Sequence, residues 1–182
     1  MPTCFYVDAN AANPCTKEAQ YGHLCAKHLA SEMGLAVAPS RLPGSGLGLF
    51  TLVARKKKER VVEYLGRAYV PGAADAPKCG AYVVQLSGKA AIDGADPHSA
   101  GYGRFVNCCR TANQQAGHAR GNNLSFAVDH RRQRVQMVTT RAVDAGEELF
   151  VPYGPSYGWR KFAAPSAVNG AGEEEEEENG RE

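Results

Sequence analysis

The chain has 182 residues, 43% hydrophobic and 22% charged, which supplies the core of one ordinary domain and a small appendage but not of a multidomain assembly. Its net charge of +2 hides an asymmetry, because residues 1–170 carry 20 basic and 12 acidic side chains, while seven glutamates lie at 173–178 and 182. No apolar run reaches the roughly 20 residues of a membrane span, and MPTCFYVDANAANPC lacks the basic flank and apolar centre of a signal peptide, so a soluble intracellular protein with no membrane partner is expected.

Residues 1–34 contain Cys4, Cys15, Cys25 and His28, separated by ten, nine and two residues. In a reducing compartment six cysteines argue against a disulfide framework. Thiolates and an imidazole are the ligands of a tetrahedral structural zinc, and C-A-K-H brings two of them to one ion from a single turn. Thirty residues with so little apolar content need such a staple. A small Cys3His zinc module over 1–34 is therefore expected, the alternative being unrelated thiols.

A linker with Pro39 and Pro43 follows at 35–43, and then the glycine cluster GSGLGLF (44–50). Beyond it come short β-branched or aromatic runs bounded by Gly, Pro, Asp or Asn: GLFTLV (48–53), RVVEYL (60–65), AYVVQL (81–86), KAAID (89–93), NLSFAV (123–128), RVQMVTT (134–140) and ELFV (148–151). No long amphipathic helix competes, so the fold class is mainly β, built of small sheets. RKKKER (55–60) has the composition of a nuclear-localisation signal and equally of a solvated hairpin loop. Residues 163–182 cannot bury apolar surface and are expected to form a disordered acidic tail.

The glycines at 44, 46 and 48 do not fit a dinucleotide fingerprint, which would place one at 49 and a helix beyond. Instead the order GSGLGLF, VVEYLG (61–66), GYGRFVNCCRTAN (101–113) and AGEELFVPYGPSYGW (145–159) resembles the SET family of protein lysine methyltransferases across about 42–159. YGPSYGW and the lack of any cysteine after Cys109 are most similar to the compact viral-type members, and VNC-R is similar to the divergent PR branch.

The resemblance implies a SET domain over 35–162, several small sheets with a pseudoknot-like C-terminal segment threaded through a preceding loop. It implies S-adenosyl-L-methionine as cofactor, held at Gly46, Leu47, Gly48, Arg104, Phe105, Asn107 and Cys108 and covered by Trp159. RFVNCCRTAN departs from the family pattern R-F-I-N-H-S-C-x-P-N at Cys108, Cys109, Arg110 and Ala112. The two adjacent cysteines cannot easily bridge each other and are read as packed structural residues. Tyr153 and Tyr64 take the catalytic positions, and Phe126, Val151 and Tyr157 complete an apolar channel for a lysine stem.

The function expected is methylation of a lysine on a basic tail, above all a histone tail, in the nucleus rather than the cytoplasm. Contact with the nucleosome through the +8 body and a homodimer are compatible with the sequence. The alternatives are a methyltransferase for a nonhistone protein and a noncatalytic SET-like module that binds chromatin or a protein partner.

Overall fold

The computed structural model describes residues 2–7, 13–74, 76, 81–109 and 121–154. Within them the order is α1 (Ala26–Met33), β1 (Leu35–Pro39), β2 (Leu47–Thr51), β3 (Arg60–Tyr64), β4 (Arg67–Tyr69), β5 (Val83–Ser87), β6 (Ala90–Asp93), a 3-10 turn (Gly103–Phe105), β7 (Leu124–Asp129) and β8 (Arg134–Thr139). The strands form three small antiparallel sheets, β1-β2, β3-β8-β7 and β4-β6-β5. No helix in these residues is long and apolar enough to cross a membrane.

The mainly β class is as expected, and six of the seven expected runs overlap strands. Two of the segments read from sequence take other forms, and β4 was not among the expected runs. Residues 35–39 are not linker but β1, paired with β2 from Leu35↔Thr51 to Pro39↔Leu47. Leu35 is fully buried, and Pro39, with no N–H to give a ladder, ends the strand. ELFV does not form a continuous strand, because its hydrogen bonds go to several partners. Leu149 N–H reaches the Leu49 carbonyl of β2 at 2.8 Å, Val151 N–H reaches the Asn107 carbonyl at 2.9 Å, and the Phe150 carbonyl accepts the N–H groups of Asn123 and Leu124 at 3.0 and 2.8 Å.

The segment around 148–151 is thus clasped between β2 and residue 107, with an antiparallel bridge Phe50↔Glu148 and a parallel bridge Asn107↔Phe150. Asn123, fully buried, locks it with both ends of its amide: Nδ2 donates to the Glu148 carbonyl at 2.8 Å, and Oδ1 accepts Phe150 N–H at 2.8 Å. The loop through which the segment would thread includes 110–120, which lie outside the described residues.

Helix α1 was not anticipated. Its eight residues are mostly good helix formers, Cys25 caps it in an extended conformation, and Gly34 ends it in the left-handed region at φ 61°. Gly34 N–H returns to the Ala30 carbonyl at 3.0 Å, while its own carbonyl accepts Leu52 N–H at 2.7 Å and so directs the chain into β1. One hydrophobic cluster then joins Cys4, Leu24, Cys25 and Leu29 to Leu35, Leu49, Tyr64, Phe105, Met137 and Leu149. The N-terminal segment and the β-sheets therefore share a core.

RKKKER turns between β2 and β3. Glu59 anchors it by accepting from the Arg55 guanidinium at 2.9 Å and the Lys56 N–H at 2.8 Å, which leaves Lys56, Lys57 and Lys58 exposed. The Arg55 guanidinium, followed by the Lys56 amide, holds the Glu59 carboxyl below the usual carboxylate range.

Gly34→Ala should destabilise the chain by about 2 kcal/mol, since alanine resists the left-handed region and its Cβ would lie 2.8 Å from Val53 Cγ2. A urea midpoint lowered at unchanged slope would show it, and an unchanged midpoint would contradict this account of the helix end.

Candidate active site and metal-binding cluster

A buried carboxylate organises the site. Glu148 is 2% exposed, and its Oε1 accepts Ser40 Oγ–H at 2.6 Å while its Oε2 accepts Arg41 N–H at 2.7 Å. A buried charge is tolerable only when its lone pairs are satisfied, so Glu148 fixes the chain ahead of the glycine cluster. The Asn107 amide nitrogen lies 3.4 Å from Oε1 and donates to the Leu47 carbonyl at 3.0 Å. With the NH2 group held between two acceptors, the Asn107 Oδ1 has no hydrogen-bond donor among the described residues.

Gly48 owes its identity to the same carboxylate, because a Cβ there would lie 2.2 Å from Glu148 Oε1. Gly46 is different. It sits exposed at φ 67°, and an added Cβ would meet nothing within 4 Å among the described residues, so the backbone at 46 leaves room there for a ligand to approach. Leu47, half-buried between them, contributes the carbonyl that orients Asn107. A cofactor with an amino acid end suits this corner: Oδ1 of Asn107 for an ammonium and an open glycine backbone beside it.

Tyr153 joins the same corner from the clasped segment. It is half-buried, and its hydroxyl donates to the Val106 carbonyl at 2.8 Å, one residue before Asn107. Tyr64 is buried, and its hydroxyl donates to the Tyr82 carbonyl at 2.6 Å. The two tyrosines flank one turn, since Gly103 packs on the backbone of Tyr64, where an added Cβ would come within 3.0 Å of its Cα.

The remaining expected residues take varied places. The Arg104 guanidinium lies over the Tyr82 ring, 4.4 Å from its centroid, and over Phe105 at 5.3 Å. The Phe105 ring is in the core, edge-on to Tyr21 at 4.8 Å, which makes the side chain a packing contact. Phe126 lies half-buried on β7, opposite Met137. Val151 is fully buried, so its side chain has no surface to offer a channel in this conformation. Cys109 packs with Leu42 and Phe150, and its thiol is raised by burial, then by Cys108 and Glu148, so it is a poor thiolate. That agrees with a structural role, while Cys108 is half-buried beside it. Tyr157 and Trp159 lie outside the described residues.

Sequence reasoning missed Glu148, Asn123 and Tyr102. The signal for Glu148 was a charge directly before the apolar run LFV, and for Asn123 a polar residue directly before the apolar start of a strand.

The N-terminal residues meet as expected. The ligand atoms of Cys4, Cys15, Cys25 and His28 all lie within 4.8 Å of one another. His28 Nδ1 is 3.3 Å from Cys4 Sγ and 3.4 Å from Cys25 Sγ, close to the ~3.5 Å between sulfur and nitrogen that a tetrahedral zinc implies. Cys25 N–H points at Cys4 Sγ at 3.2 Å, and the His28 ring stacks on Tyr6 at 3.9 Å. The His28 backbone N–H holds the Cys25 thiol below its usual range, which favours the ligating thiolate. The donor set and its spacing thus fit a metal ion.

A family model, SET domain, matches residues 46–154, from the open glycine to the residue after Tyr153. The chain belongs to the SET domain family, whose members are in general protein lysine methyltransferases that use S-adenosyl-L-methionine. No curated protein matches it.

Gly48→Ala should cost about 3 kcal/mol or more by urea denaturation. In combination with Glu148→Ala, which removes the opposing carboxylate, the loss should fall short of the sum of the two single losses by at least about 1 kcal/mol. Strict additivity would mean that Gly48 and Glu148 do not depend on each other.

Proposed function

We propose that this protein is an S-adenosyl-L-methionine-dependent protein lysine methyltransferase acting on a histone tail, with one structural zinc in its N-terminal segment. The observation that carries the reading is the meeting of Asn107 and Tyr153, from motifs more than forty residues apart, beside the open Gly46 turn.

Bound cofactor supplies an electrophilic methyl on a sulfonium, and the protein must hold an uncharged lysine amine in line with it. Gly46 would leave room for the cofactor backbone, and the Asn107 Oδ1 would accept from its ammonium. The Tyr153 hydroxyl donates a hydrogen bond to the Val106 carbonyl, and its oxygen has lone pairs with which to accept. An acceptor orients an amine N–H and takes weak C–H···O contacts from a polarised methyl. Because the hydroxyl is uncharged, it does not stabilise the protonated, unreactive lysine. Tyr64, occupied with the Tyr82 carbonyl, braces the turn at Gly103 and supports the site through that turn.

The basic surface, including the exposed Lys56, Lys57 and Lys58, suits a nuclear protein that meets nucleosomes. A noncatalytic SET-like module is the second reading. It is favoured by Cys108 and Cys109 where the family pattern has His and Ser, and by the engagement of the Tyr64 hydroxyl within the fold.

Purified protein should transfer labelled methyl to core histones, and Tyr153→Phe should slow kcat at least about tenfold, equal to roughly 1.4 kcal/mol of lost positioning. The rate should rise from neutral to alkaline pH, as free lysine has a pKa of about 10.4. Cofactor binding without methylation of any basic protein would favour the second reading, and full activity in Tyr153→Phe would remove Tyr153 from its role.

Protein purified reduced and without chelator should contain one zinc per chain by elemental analysis. Cys25→Ser should lose it, and an absence of zinc from the wild-type chain would refute the structural-zinc assignment.

A further inference from the structure

Tyr102, the second residue of GYGRFVNCCRTAN, ties the metal-binding segment to the turn that carries the cofactor asparagine. It is 2% exposed, and its hydroxyl accepts the Leu24 N–H at 2.7 Å and donates to the Leu24 carbonyl at 3.1 Å. Both polar groups of one buried peptide residue are thereby satisfied by a single side chain 78 residues away. Leu24 directly precedes Cys25, which begins α1, and α1 carries His28 to the cluster.

The contact is close and has a second strand. Gly22 lies against the Tyr102 ring so tightly that an added Cβ would be 2.9 Å from its Cζ. Tyr21, one residue earlier, meets Phe105 edge-on. On the other side Tyr102 begins the 3-10 turn: its carbonyl accepts Phe105 N–H at 3.1 Å, and the Gly103 carbonyl accepts Val106 N–H at 3.2 Å. The turn delivers the Val106 carbonyl to Tyr153 and leads into Asn107, whose carbonyl accepts Val151 N–H at 2.9 Å. From ligand to active site the path is Cys25, Leu24, Tyr102, the turn, and Asn107 with Tyr153.

We propose that Tyr102 is a positioning residue through which metal occupancy of the N-terminal cluster sets the cofactor corner, so that metal and cofactor bind with positive coupling. This rests on the reading of Gly46 and Asn107 as the cofactor site. Four ligands drawn from two separated positions and one helix turn are ordered by a shared ion, and without it residues 21–28 lose a constraint that the shared core does not supply. Tyr102 then has no fixed partner, and the turn gains freedom that cofactor binding must remove. Linkage makes the effect reciprocal: if zinc tightens cofactor binding by a given factor, cofactor tightens zinc binding by the same factor.

The test uses the full chain, with zinc removed by chelator under reducing conditions and then restored. Hydrogen exchange is followed first, with no cofactor present. The amides of Phe105, Val106 and Val151 should exchange about tenfold or more faster without zinc, a factor within the usual range of such coupling, while amides of the β7–β8 hairpin keep their rates. In Tyr102→Phe, which leaves all four ligands in place, the turn should exchange fast whether or not zinc is bound. If that variant does not fold, Tyr21→Leu, which removes the ring contact on Phe105, should lessen the effect of zinc on the turn. Calorimetry then measures S-adenosyl-L-methionine binding, expected to be about tenfold weaker in the zinc-free wild type and insensitive to zinc in Tyr102→Phe.

Identical turn exchange with and without zinc overturns the proposal, as does a chain that takes up no zinc. A uniform rise that includes β7 and β8 also overturns it, because the metal would then be holding the whole fold. If the zinc-loaded chain fails to bind S-adenosyl-L-methionine, the cofactor reading fails, while the exchange data still decide whether the metal sets the turn.

Discussion

The buried carboxylate of Glu148 is the constraint on which the rest of the site depends. A charge removed from water must be met by donors, and here they come from Ser40 and Arg41 on one segment and Asn107 on another. Satisfying it forces the chain before the glycine cluster, the asparagine turn and the C-terminal clasped segment into one place. It also excludes a side chain at residue 48, so one acid accounts for both a glycine and an asparagine orientation. The hydrogen bonds of Asn123 serve the same end from the opposite side.

Much of this was legible in the sequence because the chemistry and its spacing are local. The runs RVVEYL and RVQMVTT announce strands through β-branched residues, and C-A-K-H announces two ligands on one turn. The order of the four motifs was enough to reach the family. What was not legible depends on contacts between distant residues. LAVAP reads as a linker until β2 is seen beside it, and ELFV reads as a strand because sequence cannot show its carbonyls and amides going to different partners. Val151 looked like a channel residue for its apolar character, but the same character draws it fully into the core. Tyr64 and Arg104, expected to face substrate and cofactor, both engage Tyr82, through its carbonyl and its ring respectively. Helix α1 escaped notice since eight residues carry too little periodicity, and its start is set by Cys25, a residue that is not a customary cap.

The shared core changes how the N-terminal segment is understood. On composition alone, residues 1–34 read as an appendage held together by metal. In the fold, Cys4, Leu24, Cys25 and Leu29 extend the same apolar cluster that backs β2, β3 and β8. The segment contributes two things at once, a ligand set spaced to hold a metal ion and apolar surface that faces the sheets. The same short stretch therefore carries both the metal-ligand cluster and part of the apolar backing of the sheets.

The parallel bridge between Asn107 and Phe150 has a consequence for how the protein is made. Its partners are separated by 43 positions, and Asn107 reaches a further 60 positions back to Leu47. Contacts of such sequence separation form late and slowly, because loop closure must be met before they return any stability. During synthesis all three sheets have their strands before residue 148 leaves the ribosome, but the corner between Gly46, Asn107 and Tyr153 does not exist until the segment around 148–153 is clasped. The nascent chain is therefore structured well before it is competent, and cofactor can reward only the finished fold.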